Sequence, residues 1–391
     1  MNDKNKFQQG KVITISFAHF VHDVYSSFLA PILPLLIDKF SLSLSFVSFL
    51  TIIQRLPSLL NPLIGHIADK LPIRYVLIAA PALTATTMSL IGLMPSITMI
   101  IVLLLTSGIG VSFFHVPAPI MIKHVSGNRI GKGMSYFMLG GEIARSLGPL
   151  YILGGISLWG LEGTYRLLPL GLLASLLLYF KFKNIPIAED FKKKRKETGA
   201  IAAVREQLPL FISLGGIVFF TSLVKGSLTT FLPTYMTENG ASLWIGGISL
   251  AIVQFAGAAG TLFSGTISDK IGRRFTLMIM AITTPFLLLL FVFISHTIFT
   301  VPLLIVIGII MFATTPVLLA EVNIINSEHA GLINGIFMTM NFIFSAFALL
   351  IIGVLGDLLG LKTTYIITAL VSFGSILFII RLPKEKTNPT R

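Results

Sequence analysis

The stretch GHIADKLPIR at residues 65–74 recurs 200 residues later as GTISDKIGRR at residues 265–274. Each copy is a short charged segment between two long apolar runs. Two similar halves built from apolar runs are typical of secondary transporters. The repeat therefore predicts a duplicated chain that moves a solute across a membrane. Further residues keep the same offset: Gln54 and Gln254, Gly108 and Gly308, Gly131 and Gly331.

The composition predicts that most of the chain lies in lipid. Of its 391 residues, 54% are hydrophobic and 12% are charged, whereas soluble proteins have about 25% charged residues. Apolar runs of about 20 residues predict helices, because lipid offers the backbone no hydrogen-bond partner. We expect an all-α membrane protein with twelve helices in two pseudo-symmetric six-helix bundles. The expected helices are 12–38, 45–68, 74–94, 97–122, 131–156, 162–183, 207–237, 243–267, 274–294, 300–322, 329–354 and 361–381.

The distribution of basic residues argues against nucleic acid as a partner, despite a net charge of +13. With the amino terminus inside, almost all Lys and Arg fall on cytoplasmic segments, as the positive-inside rule requires. We therefore expect an integral cell-membrane protein with both termini in the cytoplasm and the lipid bilayer as a partner. The exceptions are Lys39, Arg166 and Lys362 outside, and Arg55, Arg145 and Lys225 within helices.

A basic stretch divides the chain. Residues 184–206 are polar and mostly basic, so we expect a bundle at 1–183, a cytoplasmic linker at 184–206 and a second bundle at 207–391. The chain has no cysteine, which excludes disulfides, thiol catalysis and Cys-ligated metals.

The repeated G-x-x-x-D-K-x-x-x-R loop resembles the signature loop of the major facilitator superfamily. The resemblance implies the two-bundle fold, alternating access and a monomer. It also implies a conformational latch at Gly65, Asp69, Lys70, Arg74, Gly265, Asp269, Arg273 and Arg274. A carboxylate that ends a helix can pair with these cations or with another helix's amino terminus only while the cytoplasmic side is shut. The alternative is charge that only sets the topology.

Short motifs in three predicted helices give a narrower resemblance. Gly140, Gly141, Gly148 and Pro149, followed by a glycine pair, resemble the antiporter motif of the fifth helix. Together with residues 16–23 and 112–115, they are similar to the fosmidomycin-resistance subfamily, whose members export a small phosphonate antibiotic against protons. This resemblance implies drug efflux in exchange for protons.

Ionisable residues of the first helix are candidates for proton coupling. Placing a charged side chain at mid-bilayer costs roughly 2.5–3.5 kcal/mol of insertion free energy, so such a residue is expected to be paired or functional. Asp23 lies half-way along this helix, His19 is one turn earlier on the same face, and His22 is its neighbour. A carboxylate beside imidazoles can exchange a proton near neutral pH. The alternative is a structural, hydrogen-bonded carboxylate; no metal is expected, because adjacent residues 22 and 23 point in different directions.

Three further charges are candidates for coupling and anion binding. Glu142 and Arg145 are three residues apart on the fifth helix and can pair with each other. Glu142 could instead exchange a proton as Arg145 binds an anionic substrate. Arg55 has no partner within its own helix, and a guanidinium binds phosphonate or carboxylate well. The alternative for Arg55 is an ion pair with Asp23 or Glu142.

Several polar residues are candidates for lining a substrate cavity. A lone histidine in a helix is more often a packed hydrogen-bonding residue than a proton carrier, and helix-packing amides are common. The candidates are His115, Gln254, Asn334 and Asn341.

These features favour a proton-coupled antiporter that exports a small anionic or zwitterionic molecule. No cofactor is expected, and the chain has no Walker loop for ATP. The alternatives are proton-linked uptake of a metabolite, a lipid flippase or an intramembrane enzyme. The last lacks a persuasive nucleophile site, so we expect no catalysis.

Overall fold

A computed structural model of the protein describes residues 7–61, 73–184, 204–294, 297–323 and 330–382, and these ranges are helical apart from short turns. The all-α membrane fold is therefore confirmed. The count of twelve spans stays a prediction. Within the described ranges nine helical stretches are long and apolar enough to cross a membrane: Gln9–Phe40, Arg74–Leu93, Ile97–Val125, Glu162–Phe182, Leu208–Thr230, Leu243–Ile271, Arg273–Ile294, Thr300–Val322 and Ile333–Ile379.

The amino-terminal half contains eight described α-helices and three short 3-10 helices. The 3-10 helices are Leu56–Leu60, Ile91–Leu93 and Glu162–Leu167. The α-helices are α1 (Gln9–Ser26), α2 (Leu29–Phe40), α3 (Leu44–Arg55), α4 (Ile73–Leu90), α5 (Ile97–His115), α6 (Ala118–Val125), α7 (Ile130–Trp159) and α8 (Pro169–Phe182).

The carboxy-terminal half contains seven described α-helices. They are α9 (Leu208–Thr230), α10 (Leu232–Glu238), α11 (Leu243–Ile271), α12 (Arg273–Ile294), α13 (Thr300–Asn323), α14 (Ala330–Ser372) and α15 (Ser375–Ile380).

Proline and glycine explain where the helices depart from the predicted bounds. The expected helix 12–38 is divided at Ser27, and Pro31 is the third residue of α2, where a missing N–H costs little. Pro117 likewise precedes α6. The expected end at residue 354 was wrong, because α14 continues to a kink at Gly360 with φ +75°. Glycine adopts this left-handed conformation without a Cβ clash.

Packing divides the chain into two compact units. The first contains Met1–Leu42, Phe49–Arg195 and Met236–Ala251, and the second contains Ser43–Ser48, Lys196–Tyr235 and Ile252–Arg391. Two short segments therefore belong to the unit formed mainly by the other half of the sequence. These segments are the first turn of α3 and the stretch that ends early in α11.

Each unit has its own apolar core. α1 lies deep in the first unit, so its polar side chains are withdrawn from lipid. The core of the first unit includes Val12, Leu77, Phe114, Phe137 and Phe182, and that of the second includes Leu214, Leu277, Val317, Phe337 and Ile379.

Candidate functional site

Glycines on α7 let this helix approach α1 closely. A Cβ at Gly140 would lie 2.5 Å from the carbonyl oxygen of Ser16, and one at Gly141 would lie 2.6 Å from Cε1 of His19. A Cβ at Gly148 would lie 2.7 Å from the carbonyl oxygen of Val24. Small residues permit such close helix contacts in membranes. The predicted antiporter-motif glycines therefore position α1 against α7, and Pro149 lies inside α7.

The carboxylate of Asp23 lies between two histidines. Nε2 of His19 is 3.3 Å from Oδ2, and Nε2 of His115 is 3.1 Å from Oδ1. The predicted proximity of His19 and Asp23 is confirmed. His115 was predicted to line the substrate cavity, and the structure places it against Asp23. A contact between residues 92 positions apart has no signal in helical spacing.

A backbone carbonyl fixes the protonation of one nitrogen of His19. Nδ1 of His19 lies 2.7 Å from the carbonyl oxygen of Phe137. Because a carbonyl oxygen only accepts, Nδ1 carries the proton. The ring is stacked on Phe137 and Phe114, with centroids 4.0 and 5.6 Å apart. The imidazole is thus held in one orientation with Nε2 towards Asp23.

The three side chains differ in their access to water. The side chains of His19 and Asp23 are 6% and 7% exposed, whereas that of His115 is 35% exposed. His115 is therefore the least buried of the three side chains. By distance alone these three groups would also suit a metal ion, since their ligand atoms lie within 4.8 Å of one another. Direct pairing of the rings with the carboxylate accounts for the same closeness.

His22 lies beside this cluster but does not contact the carboxylate. Its buried ring stacks on Phe114 at 4.6 Å and meets His115 edge-on at 5.6 Å. Neither ring nitrogen of His22 has a hydrogen-bond partner among the described residues. Its proton-coupling role stays a prediction.

The predicted pair on α7 forms. Nη2 of Arg145 donates to Oε1 of Glu142, and the side chains are 43% and 10% exposed. The arginine side chain is thus half-buried, and the carboxylate is buried.

Arg55, the last residue of α3, is exposed. Neither of the ion pairs left open by the sequence forms, because Asp23 faces the histidines and Glu142 faces Arg145. In the part of the chain that the structure describes, no carboxylate lies within 4.0 Å of Arg55. Arg55 therefore has no acidic partner among the described residues.

The candidate cavity residues of the second unit are half-buried. Gln254 is on α11, and Asn334 and Asn341 are on α14. Lys225 of the same unit lies 4.9 Å from the ring centroid of Phe312. The amide of Gln54, the repeat partner of Gln254, donates to the carbonyl of Ser26 at 3.1 Å.

Most of the first copy of the predicted latch, including Gly65, Asp69 and Lys70, lies outside the described residues. Arg74 is described and stacks over the ring of Tyr75 at 5.0 Å.

Two contacts of the second copy of the latch can be described. Arg273 donates to Asp269 at 3.5 Å, and Arg274 donates to the carbonyl of Ile380 at 2.6 Å. Gly272, with φ +89°, follows the end of α11. Nothing lies within 4 Å of a Cβ at Gly265. The latch role stays a prediction.

The first turns of α3 pack on α14. These contacts were not predicted from the sequence. The carboxylate of Asp357 accepts hydrogen bonds from the backbone nitrogens of Leu44 at 2.6 Å and Ser45 at 3.0 Å. The hydroxyl of Ser48 donates to the carbonyl of Leu349 at 2.8 Å. A Cβ at Gly353 would lie 2.7 Å from the carbonyl oxygen of Leu44, so the two backbones are in close contact.

The 200-residue repeat places an equivalent contact in the first unit. The indole nitrogen of Trp244 donates to the hydroxyl of Ser157 at 2.7 Å. These residues are the repeat positions of Leu44 and Asp357. The 200-residue repeat therefore relates the positions of the two contacts. Their chemistry differs, because one joins a carboxylate to backbone amides and the other joins an indole to a hydroxyl.

Comparison with known proteins agrees with this architecture. The family model of the Major Facilitator Superfamily matches residues 15–348. The chain belongs to this superfamily. The fosmidomycin resistance protein of Escherichia coli (strain K12) is 27% identical over 379 residues, covering 95% of this chain and 92% of that protein. The resemblance to fosmidomycin-resistance proteins is therefore confirmed.

One further protein is similar in sequence, and two solved structures share the fold. The multi-drug resistance efflux pump PmrA of Streptococcus pneumoniae is 22% identical over 277 residues, covering 67% of this transporter and 68% of the pump. The crystal structure of the nucleoside transporter NupG has a TM-score of 0.75 at 15% identity, covering 97% of this chain and 99% of that one. A bacterial homolog of the human lysosomal transporter Spinster has a TM-score of 0.77 at 14% identity, covering 96% of each chain.

Proposed function

We propose that this transporter exports a small anionic molecule in exchange for protons, with Asp23, His19 and His115 as the proton site. It acts by alternating access and without catalysis. The observation that carries the proposal is the hydrogen bond from Nδ1 of His19 to the carbonyl of Phe137.

Because of that hydrogen bond, His19 and an ionised Asp23 attract each other only when the pair carries one additional proton. With its proton on Nδ1, a neutral His19 presents the lone pair of Nε2 to Asp23, and two acceptors at 3.3 Å repel each other. Attraction requires a second proton on His19 or a proton on Asp23. His115 needs no such proton, because its neutral ring can donate from Nε2. The cluster is thus arranged to hold one exchangeable proton between His19 and Asp23.

His115 supplies the route for that proton. It is the exposed member of the cluster and contacts the carboxylate directly. An imidazole can accept a proton on one nitrogen and release one from the other. We therefore infer that His115 passes protons between water and Asp23, while His19 stabilises the bound proton.

Two arginines within helices favour an anionic substrate. Arg55 and Arg145 both belong to the first unit, and neither side chain is fully buried. Arg forms paired hydrogen bonds with phosphonates and carboxylates. An anion bound by Arg145 would compete with Glu142 for the guanidinium. The fosmidomycin resistance relative makes a phosphonate antibiotic the first substrate to test.

Docking of α3 on α14 provides one closed state. In the positive-inside orientation, with both termini in the cytoplasm, Leu44 begins α3 on the outer side, and Asp357 lies just before the kink of α14 at Gly360. Anionic groups are favoured at a helix amino terminus, by 0.3–1 kcal/mol in exposed settings and about 2 kcal/mol when partly buried. We infer that this contact shuts the outer side, and that the signature loops shut the inner side in the alternate state.

Transport by the purified protein in proteoliposomes tests the proposal. Inside-out vesicles with an acidic lumen should accumulate labelled fosmidomycin and release protons as they do so. Collapse of the pH gradient should stop accumulation. Accumulation that is indifferent to the gradient would remove the antiport, and proton-driven movement in the opposite direction would make the protein an importer.

A further inference from the structure

An apolar groove in the second unit has no role in the proposed transport cycle. It lies between α9, α14 and α15 and has a volume of about 540 Å³, within the range of ligand-binding pockets. Its lining is apolar side chains and glycine, including Phe211, Gly215, Gly216, Phe344 and Phe378.

Membrane lipid is the molecule that meets this groove. Leu208 and Ile212 at its mouth are 50% and 56% exposed and lie on a helix that spans the membrane. Phe344 and Phe378 pack directly on Gly215 and Gly216, since a Cβ there would lie 2.7 and 2.3 Å from their rings. A lining without polar groups suits an acyl chain and offers no hydrogen bond to a polar substrate.

Two guanidiniums lie at one end of the groove. Arg381 is exposed and stacks on Phe378, with 6.0 Å between its guanidinium carbon and the ring centroid. Arg274 donates to the carbonyl of Ile380, the residue before Arg381. These two cations therefore follow directly on the apolar wall that Phe378 contributes.

The packing register shows which end of the groove is charged. α9 and α15 run antiparallel, because Gly216 packs on Phe378 while Phe220 packs on Gly374. Residues after Phe378 therefore lie beside the first turns of α9, where Leu208 and Ile212 open the groove. The cations thus lie at the mouth and not at the closed end.

We propose that this groove binds one anionic phospholipid, with an acyl chain along α9 and the phosphate on Arg381 and Arg274. Arg binds phosphate well because its guanidinium donates paired hydrogen bonds. Basic residues beside a membrane helix attract anionic headgroups. The site is built entirely from the second unit, so it stands apart from the proton site.

Native mass spectrometry of the purified transporter tests this proposal. The probes are phosphatidylglycerol and phosphatidylcholine with identical acyl chains, offered together. The wild type should retain one lipid with a preference for phosphatidylglycerol. Arg381→Gln should reduce that preference about fivefold, the equivalent of about 1 kcal/mol per basic residue at an anionic membrane surface.

Matched variants separate the groove from general surface effects. Arg129→Gln removes an exposed arginine of the other unit and should keep the preference. Ile212→Trp should fill the mouth and abolish retention of both lipids, with Leu208→Trp as a second filling variant. Leu172→Trp alters a similarly exposed residue elsewhere and should retain lipid. Three results would overturn the proposal. Arg381→Gln could keep the preference for phosphatidylglycerol, or Ile212→Trp could retain as much lipid as Leu172→Trp. The third is a wild-type dimer that Ile212→Trp dissociates.

Discussion

The carboxylate of Asp357 lies 2.6 Å from the backbone nitrogen of Leu44, although the two residues are 313 positions apart in the chain. Asp357 accepts from two amides at the start of α3, where four backbone N–H groups lack partners within the helix. The carboxylate therefore caps a helix that the sequence assigns to the other half of the chain. Asp357 contributes its side chain to this contact, and Leu44 and Ser45 contribute backbone amides.

Removing this cap should favour opening at the outer end of α3. Ser48 is fully buried beside the contact, and the chain has no native cysteine. A Ser48→Cys reporter should react with a membrane-impermeant maleimide about five times faster when Asp357→Ala is added, because the lost contact is worth about 1 kcal/mol. Asp38→Ala, which removes an exposed carboxylate, is the control. Equal rates in both backgrounds would show that Asp357 does not hold the closed state.

A side chain at Gly141 should disrupt the proton site. In Gly141→Ala the new Cβ would lie 2.6 Å from Cε1 of His19, so the imidazole must move away from Asp23. We expect loss of proton-driven transport and a destabilisation of roughly 1–3 kcal/mol from overpacking. Gly154→Ala on the same helix meets nothing within 4 Å and should leave both properties unchanged. Full activity in Gly141→Ala would contradict the assigned geometry, and thermal unfolding gives the stability.

Replacing His115 should slow proton transfer and spare substrate affinity. His115→Gln keeps a hydrogen-bond donor for Asp23 but cannot carry a proton between its polar atoms. We expect slower proton-coupled turnover with an unchanged Kd for fosmidomycin. His124→Gln, a histidine of α6, serves as the control. A large change in Kd with normal coupling would instead make His115 a substrate ligand.

Loss of the charge of Arg55 should weaken the binding of anionic ligands more than that of neutral ligands. A hydrogen bond to a charged group contributes about 1.5–3 kcal/mol, so Arg55→Gln should raise the Kd of a phosphonate by roughly 10- to 100-fold. The Kd of a neutral transported compound should change little. Arg166→Gln removes an exposed arginine near a helix end and should affect neither. Equal losses for anionic and neutral ligands would indicate a structural role for Arg55.

Helical spacing made part of the site predictable. His19 and Asp23 are four residues apart, and Glu142 and Arg145 are three apart, so each pair could be predicted from one helix. The contact of His115 with Asp23 could not, because it depends on how α5 packs on α1. The same holds for Asp357 and Leu44, whose pairing depends on which helices meet across the repeat.

A helix break can be predicted from the sequence only where a residue at the break, such as proline, causes it directly. Proline bends or ends a helix through its own backbone, and the structure has helix junctions just before Pro31 and Pro117. The kink at Gly360 was missed because the flanking residues are apolar and continue a helical pattern. The antiporter-motif glycines were recognised from their sequence, but their packing against His19 required the structure.

The proton site at Asp23 is tested most directly by measuring protons released when substrate binds. A pH indicator in weakly buffered detergent solution would report the release on addition of fosmidomycin to purified transporter. The wild type and Asp38→Asn should release protons, whereas Asp23→Asn should still bind the substrate and release none. Equal proton release from Asp23→Asn and the wild type would contradict the account.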